Sequence, residues 1–258
     1  MAIGDSIYHS LQTKLEKRMT RHFTTLTSFS WSKTLSDIES PLSFIGSHAG
    51  TTFQDWRDRW YERSVSSQDV SWWLSWQMSY DLPVGRDRAL NLSNSVANGV
   101  LGGWTVNNVV SLGGGVPVVV SPGFTDQYLG QRPNLTCDPA KGAPHTSTEW
   151  FLPNCFAQPS SPFVPGTSPR TLSDVRAQGT RNWDASLSKR VKLGESRNLD
   201  LTFSAYNLTN SVQLGIPFAT WYPASTGQTI QDANPTFGNI TYAASTPRQF
   251  QFSARFQF

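Results

Sequence analysis

Charged residues are scarce in this sequence. Asp, Glu, Lys and Arg make up 15% of its 258 residues, and the interspersed signs leave a formal net charge of +3. A protein that binds nucleic acid or a strongly acidic partner usually carries a field of one sign. Because this chain has no such field, we expect no nucleic-acid partner.

Long apolar runs are also lacking. The nearest approach is Val116 to Val120, which Pro117 interrupts, whereas a transmembrane helix needs about 20 mostly apolar residues. The sequence therefore excludes a helical membrane span. The first residues, MAIGDSIYHSLQ, lack the basic region, apolar stretch and cleavage site of a secretory signal, so we expect no signal peptide in this chain.

Catalytic signatures are missing as well. The sequence contains no nucleophile elbow, paired catalytic acids, phosphate loop or metal-binding helix. Its two cysteines, with only His145 between them, lack the close paired spacing of zinc ligands. The run Gly113 to Gly115 has no following helix or Lys, and indicates a strand kink or bulge. We expect no enzyme activity, no metal and no cofactor.

Aromatic residues, by contrast, are plentiful, and apolar residues alternate with polar ones. Aromatics make up 12% of the chain and include ten Trp. At the carboxy terminus, apolar residues from Phe250 to Phe258 occupy every second position, and the positions between them are polar. This period of two is typical of strands with one apolar and one polar face, as in a membrane β-barrel. The pattern predicts an all-β, antiparallel fold.

Seven segments show this alternation, although two of them do so less cleanly. The predicted strands are Ile7 to Arg18, His22 to Lys33, Val70 to Leu82, Trp104 to Val119, Asn182 to Leu193, Leu199 to Asn207 and Gln249 to Phe258.

The predicted connections alternate broadly between short and long. Long ones span 34–69, 120–181 and 210–247, and they alternate with those at 19–21, 84–103 and 194–198. Outer-membrane barrels have short periplasmic turns and long outer loops, which places the carboxy terminus in the periplasm and Met1 outside the cell. Because such barrels have an even strand count, the odd number predicts preceding strands, and we interpret 1–258 as a partial barrel domain.

Two other interpretations remain open. A secreted or surface β-sandwich that binds glycans through its tryptophans would also show alternation, but soluble strands average about five or six residues. A truncated or mis-started reading frame is the other, and both the odd strand count and the missing signal favour it.

Several segments resemble TonB-dependent receptors of the carboxypeptidase-regulatory, Oar-like family. In the family's order they are YHSLQTKLEKRM, TTLTSFSWSKTL, SYDLPVGRDR, LGGWTVNNVVSLGGGVPV, RPNLTCDP, WFLPNCF, RNWDASLSKRVKLGE, LDLTFSAYNLTN and FGNITYAASTPRQFQFSARFQF. These pieces span nearly the whole chain, and the ordered set is more specific than any one of them.

The resemblance implies an outer-membrane transporter or receptor that takes up a substrate. In that family a plug gates a barrel of about twenty-two strands, and an inner-membrane TonB complex supplies the energy. The regulatory-like domain, plug, TonB box and early barrel strands have no counterpart here. The implied partners are outer-membrane lipid, the barrel-assembly machinery and the missing part of the protein, through which alone the TonB complex would act.

Two groups of aromatic residues are candidate functional positions. Phe250, Phe252, Phe256 and Phe258 resemble the terminal signal read by the barrel-assembly machinery, although lipid-facing residues are apolar in any case. The second group fits an interfacial aromatic girdle, with a sugar-stacking platform as the alternative, and consists of Trp31, Trp72, Trp76, Tyr80, Trp104 and Trp183.

The long connections hold two further candidates. Cys137 and Cys155 both lie in the longest predicted connection. They either form a disulfide in an oxidising compartment or remain as two free thiols. The segment QDWRDRWYERS is rich in charges of both signs and in aromatics. It predicts ligand contacts at Trp56, Arg57, Arg59 and Trp60, or else ion pairs that brace the loop.

Overall fold

The computed structural model describes residues 4–20, 22–37, 54–55, 58–86, 88–122, 131–161, 163–194, 197–225 and 227–258. Their strands are β1 (Ser6–Thr20), β2 (Phe23–Ser36), β3 (Ser64–Val65), β4 (Trp72–Asp81), β5 (Trp104–Gly113), β6 (Pro117–Val119), β7 (Ser121–Pro122), β8 (Asn134–Leu135), β9 (Phe156–Ala157), β10 (Thr171–Arg176), β11 (Arg181–Lys192), β12 (Asn198–Tyr206), β13 (Thr220–Trp221) and β14 (Gln249–Gln257). The helices are α1 (Ser95–Leu101) and α2 (Ile230–Ala233), with 3-10 turns at Arg59–Glu62 and Pro153–Cys155.

The long strands form one antiparallel sheet in the order β1-β2-β4-β5-β11-β12-β14, and β3 adds to β2. Successive long strands are therefore neighbours. Connections 21–22, 82–103 and 193–197 lie at what we call the short-turn end, and 37–71, 114–180 and 207–248 lie at the long-loop end. The long strands lie where the alternation predicts them, apart from the end of β5, so the fold is all-β and mainly antiparallel.

The two edges of the sheet stay open. Among the described strands, β1 pairs with β2 alone and β14 with β12 alone. The sheet is consequently not closed into a barrel in this structure, and the strand number of a complete barrel stays a prediction.

The register gives the sheet an apolar face. Directly paired residues of antiparallel strands place their side chains on the same face. Phe252 lies opposite Phe203, and Phe203 opposite Leu187. Following such pairs strand by strand gives a face that includes Leu11, Leu15, Phe23, Phe29, Leu74, Met78, Val106, Val110, Leu187, Leu199, Leu201, Phe203, Phe250, Phe252 and Phe256.

The opposite face is polar and includes Gln12, Glu16, Ser28, Ser30, Ser75, Gln77, Asn107, Ser186, Arg190, Asp200, Thr202, Gln251 and Arg255. Trp73 is an aromatic exception on this face, and it lies opposite Gly113. A Cβ at Gly113 would come within 2.4 Å of the Trp73 ring. The bare glycine therefore makes room for the indole.

The prediction of one strand from Trp104 to Val119 is wrong. Strand β5 ends at Gly113, and the chain then leaves the sheet to form β6, which pairs with β10. At Gly115 an added Cβ would come within 1.7 Å of the Ala177 carbonyl oxygen. The glycine triplet thus ends the strand where two backbones approach closely, and Pro117 lacks the N–H that a continued ladder would use.

The described residues of the long connections 114–180 and 207–248 pack into a body that we call the cap. Its apolar core comprises Val118, Val120, Trp150, Phe151, Cys155, Phe156, Leu172, Val175, Ala219, Trp221, Phe237 and Ile240. Phe151, Phe156 and Phe237 meet edge to face, with ring centroids 5.0–5.7 Å apart. Most of the buried apolar residues thus lie in the cap, not on the sheet. None of the helices in the described ranges is long and apolar enough to cross a membrane.

Candidate functional site

The apolar face of the sheet is open to its surroundings. Leu15, Trp31, Phe203 and Phe252 are large apolar side chains on this face, and all are exposed, Leu15 to 68%. Soluble monomers rarely expose a contiguous apolar patch of this extent. The face therefore requires an apolar environment outside the described residues.

Charges on the apolar face are of one sign. Among the described residues, the strand register places no Asp or Glu on the apolar face. The basic residues on this face all lie within three positions of a strand end, and they are His9, Lys17, Lys33, Arg181 and Lys189. Lys17 lies 5.5 Å from the centroid of the Phe23 ring. Long basic side chains can keep their stems on apolar surface while the charge reaches a polar boundary. The distribution fits a slab of apolar medium bounded at both ends by polar headgroups.

The polar face carries paired charges along the strands. The Arg190 Nε lies 2.6 Å from a carboxylate oxygen of Asp200, whose paired neighbour on β14 is Arg255. These residues line a cleft of about 540 Å³ together with Ser188 and Thr202. Both charge signs and many hydroxyls are therefore available to water or a polar solute on this face.

All six predicted girdle residues lie on the apolar face: Trp31, Trp72, Trp76, Tyr80, Trp104 and Trp183. Trp31 pairs with Trp72 at the long-loop end, whereas Tyr80 and Trp104 mark the short-turn end. Trp76 lies in mid-strand, where its Nε1 donates to the Thr25 hydroxyl at 2.9 Å. The other aromatics lie nearer the boundaries, where amphipathic rings settle.

The carboxy-terminal phenylalanines form an exposed row. Phe250, Phe252 and Phe256 lie on the apolar face of the edge strand β14, and Phe250 stacks on Phe203 with centroids 5.7 Å apart. Phe258 follows the strand and stacks on Phe256 at 6.1 Å. Strand β14 and the residue after it therefore present an exposed row of aromatic rings.

The charged loop segment is only partly described, since Trp56 and Arg57 lie outside the described residues. Arg59 forms an ion pair with Asp37 at the end of β2, and the neighbouring Arg63 pairs with Asp5 at 3.1 Å. These contacts favour the bracing interpretation for Arg59. Trp60 is 81% exposed beside a cleft of about 250 Å³, so a ligand contact at Trp60 stays a prediction.

A buried polar network lies behind Trp60. The Glu62 carboxylate accepts from the Arg132 Nη1 at 3.0 Å and from the Gln54 backbone N–H at 2.9 Å, while the Gln54 Oε1 accepts the Gly166 N–H. Burial lowers the pKa of the Arg132 guanidinium, and the facing Glu62 opposes that shift. The network ties connection 37–71 to the cap, and nothing in the local sequence around Arg132 points to it.

Cys137 and Cys155 are joined by a disulfide, with Cα atoms 4.9 Å apart. Cys155 is buried in the cap core, and the Thr136 N–H donates to its carbonyl at 2.8 Å. A cleft of about 430 Å³ beside the bridge is lined by Asp138 and Asp174, among other residues. Within the described ranges, no group of three His, Cys, Asp or Glu residues could hold a metal ion.

A two-faced sheet of long antiparallel strands is the arrangement that a membrane-spanning barrel wall requires. The family of the outer membrane beta barrel domain matches residues 1–251. The chain belongs to this family. No curated protein and no solved structure matches it.

As an outer membrane beta barrel domain, the chain has faces with distinct surroundings. Barrels of this kind direct apolar side chains toward lipid and polar ones inward. The apolar face is accordingly the lipid-facing side, and the paired charges around Arg190 and Asp200 lie on the interior side.

Proposed function

We propose that this outer membrane beta barrel domain forms part of the wall of a transporter or receptor of the TonB-dependent, Oar-like kind, which takes up a substrate across the outer membrane. The observation that carries the proposal is the continuous polar face. It presents charged side chains of both signs and a cleft around Arg190 and Asp200. Such a surface suits a wide interior that holds water, solute or a plug. The resemblance of the ordered segments to that family supports the choice.

In this proposal the long-loop end faces the outside and the short-turn end faces the periplasm. The braced connection 37–71 and the disulfide-bonded cap would then meet the medium from which a substrate arrives. Exposed Trp60 is the contact that we assign to that substrate. No catalytic step, metal or cofactor is part of the proposal.

The open edges of the sheet imply partners. Unpaired backbone groups along β1 and β14 are costly in lipid, because no water is there to satisfy them. We assign both edges to further strands of the same barrel, which would enclose a plug and reach the TonB complex through it. The exposed row that ends in Phe258 would be read by the barrel-assembly machinery.

The soluble glycan-binding sandwich is the less favoured alternative. In a sandwich a second sheet covers the apolar face, and no described element does so over most of this one. The girdle tryptophans also share the apolar face, whereas a sugar platform places aromatics among polar neighbours.

Membrane insertion can be tested with two matched substitutions on adjacent positions of β11. Leu187→Arg places a charge on the lipid-facing side, at a cost of about 2–4 kcal/mol near the midplane, whereas Ser186→Arg places it inside. We expect only Leu187→Arg to lower the amount of protein that resists alkaline extraction from outer membranes. Equal behaviour of the two variants, or extraction of the unaltered protein, would contradict the proposal.

Transport requires a separate measurement. Cells with and without the gene would be compared for accumulation of labelled peptides, metal chelates and oligosaccharides, each with and without a protonophore. We expect one class to enter only when the gene is present and the inner membrane is energised. A membrane-inserted protein with no effect on uptake of any class would leave the barrel in place but contradict its transport role.

A further inference from the structure

The carboxy-terminal end of α1, in the connection between β4 and β5, contacts the lipid-facing side of the sheet. Lys189 is placed on that face, opposite Trp104 on one side and Leu201 on the other. Its Nζ donates to the carbonyl oxygens of Gly99 and Gly102, both at 2.6 Å, and to that of Val100 at 3.2 Å. The carboxy-terminal end of α1 therefore covers the apolar face near the short-turn end.

The ammonium of Lys189 is satisfied by the helix end. The last carbonyls of a helix have no partner within the helix, and their partial negative charge favours a cation. Lys189 is only 8% exposed, and its Nζ also lies 5.4 Å from the centroid of the Trp104 ring. A basic residue on the lipid-facing side thus has its ammonium hydrogen-bonded to backbone carbonyls and is shielded from its surroundings.

The outer surface of α1 is apolar. Val96 and Val100, one helical turn apart, are 75% and 61% exposed. No charged residue occurs from 89 to 103, and Asn94 caps the helix start by accepting the Val96 and Ala97 N–H groups. The Trp104 Nε1 donates to the Val100 carbonyl at 2.9 Å, so this surface continues directly into the lipid-facing row.

We propose that α1 is an interfacial membrane anchor, whose Val96 and Val100 insert among the phospholipid acyl chains of the leaflet at the short-turn end. The occupant is lipid because the exposed surface is continuous with the lipid-facing side of the sheet and carries no charge. Amphipathic helices that lie in the plane of the interface bury their apolar face among the lipids in this way. The inference rests on the proposed membrane orientation, and extends it to a connection that strand alternation alone assigns to solvent.

Spin labels on single introduced cysteines test the anchor in outer membranes that contain the whole protein. Cys137 and Cys155 are bonded to each other, so the label reacts with the introduced thiol. Val96→Cys and Val100→Cys are compared with Val212→Cys, an equally exposed valine at the long-loop end (63%), and with Phe203→Cys on the lipid-facing side. The measurement is the ratio of collision rates with oxygen, which enters lipid, and with a water-soluble nickel chelate.

We expect the oxygen-to-nickel ratio at Val96, Val100 and Phe203 to be several times that at Val212. If the oxygen-to-nickel ratios at Val96 and Val100 match that at Val212 while the ratio at Phe203 is high, the anchor proposal is overturned. The proposed membrane wall would still hold in that case. A Phe203 ratio that also matches Val212 would instead contradict the proposed membrane wall itself.

A second variant examines the role of Lys189 in holding the anchor. Lys189→Met removes the ammonium from the α1 carbonyls, and Lys192→Met is its control on the polar face of the same strand. We expect a more mobile spectrum and a lower oxygen-to-nickel ratio at Val100 with Lys189→Met only. An unchanged Val100 label in the Lys189 variant would contradict the docking role.

Discussion

At the residue scale, the cap is held by polar groups whose removal has unequal consequences. Glu62 and Arg132 are both fully buried and face each other at 3.0 Å, whereas Asp5 and Arg63 form an ion pair near the surface. Breaking a buried pair leaves an uncompensated charge without water. An exposed pair is screened, and its loss is worth little.

We therefore predict that Glu62→Gln destabilises the cap by about 3–5 kcal/mol, while Asp5→Asn changes its stability by less than about 1 kcal/mol. Hydrogen exchange of the Trp150 amide, which donates to the Gly238 carbonyl, measures the opening free energy of the cap. The double variant Glu62→Leu with Arg132→Met should recover part of the loss, since no charge is left unpaired. Equal exchange in Glu62→Gln and Asp5→Asn would contradict a structural role for the buried pair.

The same residues show which side-chain contacts could be predicted from sequence. The local charge density around Arg59 predicts either a ligand contact or a bracing ion pair for this residue. Arg132 has no charged neighbour in sequence, and its partner Glu62 lies in a different connection. Alternation reports which face of a strand a residue occupies, and it carries no information on contacts between distant loops.

At the element scale, the long strands were predictable because each separates two different environments, which imposes a period of two on the sequence. Strands such as β8 and β9 contain two residues each, too few to show any period. Alternation consequently predicts only loops for the residues of the cap. The sequence pattern does not mark the end of β5 for a related reason, because apolar residues continue past Gly113 into β6 while the backbone has already left the sheet.

Gly115 provides a test of that strand ending. We predict that Gly115→Ala destabilises the crossing, because its Cβ would come within 1.7 Å of the Ala177 carbonyl oxygen, and the backbones are held together there by the Ala177 N–H, which donates to the Val116 carbonyl at 2.8 Å. Gly99→Ala has open space around its Cβ and should be neutral or stabilising by up to about 1 kcal/mol. The thermal midpoint of each variant in detergent separates the two cases. A midpoint for Gly115→Ala equal to that of the unaltered protein would show that the approach is looser than described.

The terminal aromatic row makes a second prediction at this scale. Phe258→Ser removes the last exposed ring, whereas Gln257→Ser alters the adjacent position on the polar face. If the row is read during assembly, the Phe258 variant should show less protein in the outer membrane and more in periplasmic aggregates, measured by fractionation and immunoblotting. Normal levels of the Phe258 variant would leave the row with a lipid-facing role alone.

At the scale of the whole molecule, the two open sheet edges are the strongest constraint on how the domain can lie in a membrane. Every second backbone N–H of β1 and β14 points away from its described neighbour, and in a bilayer those groups have no water to bond. A wall that functions in the outer membrane must therefore have both edges paired by other strands. A soluble module would leave the same groups hydrated, so the two interpretations differ in the behaviour of these amides.

We predict that, in outer membranes, amides along β14 from Phe250 to Phe256 exchange as slowly as those of the central strand β11, with no alternation between neighbours. Mass spectrometry of electron-fragmented peptides resolves single amides, and cap residues such as Val212 give the fast reference. Fast exchange at every second β14 position would mean that one row of N–H groups meets water, and the closed-wall proposal would fail even if the protein were membrane-bound. Slow exchange throughout would require a strand beside β14, and cross-linking from Gln251→Cys would then identify whether that strand belongs to the same barrel or to a second copy.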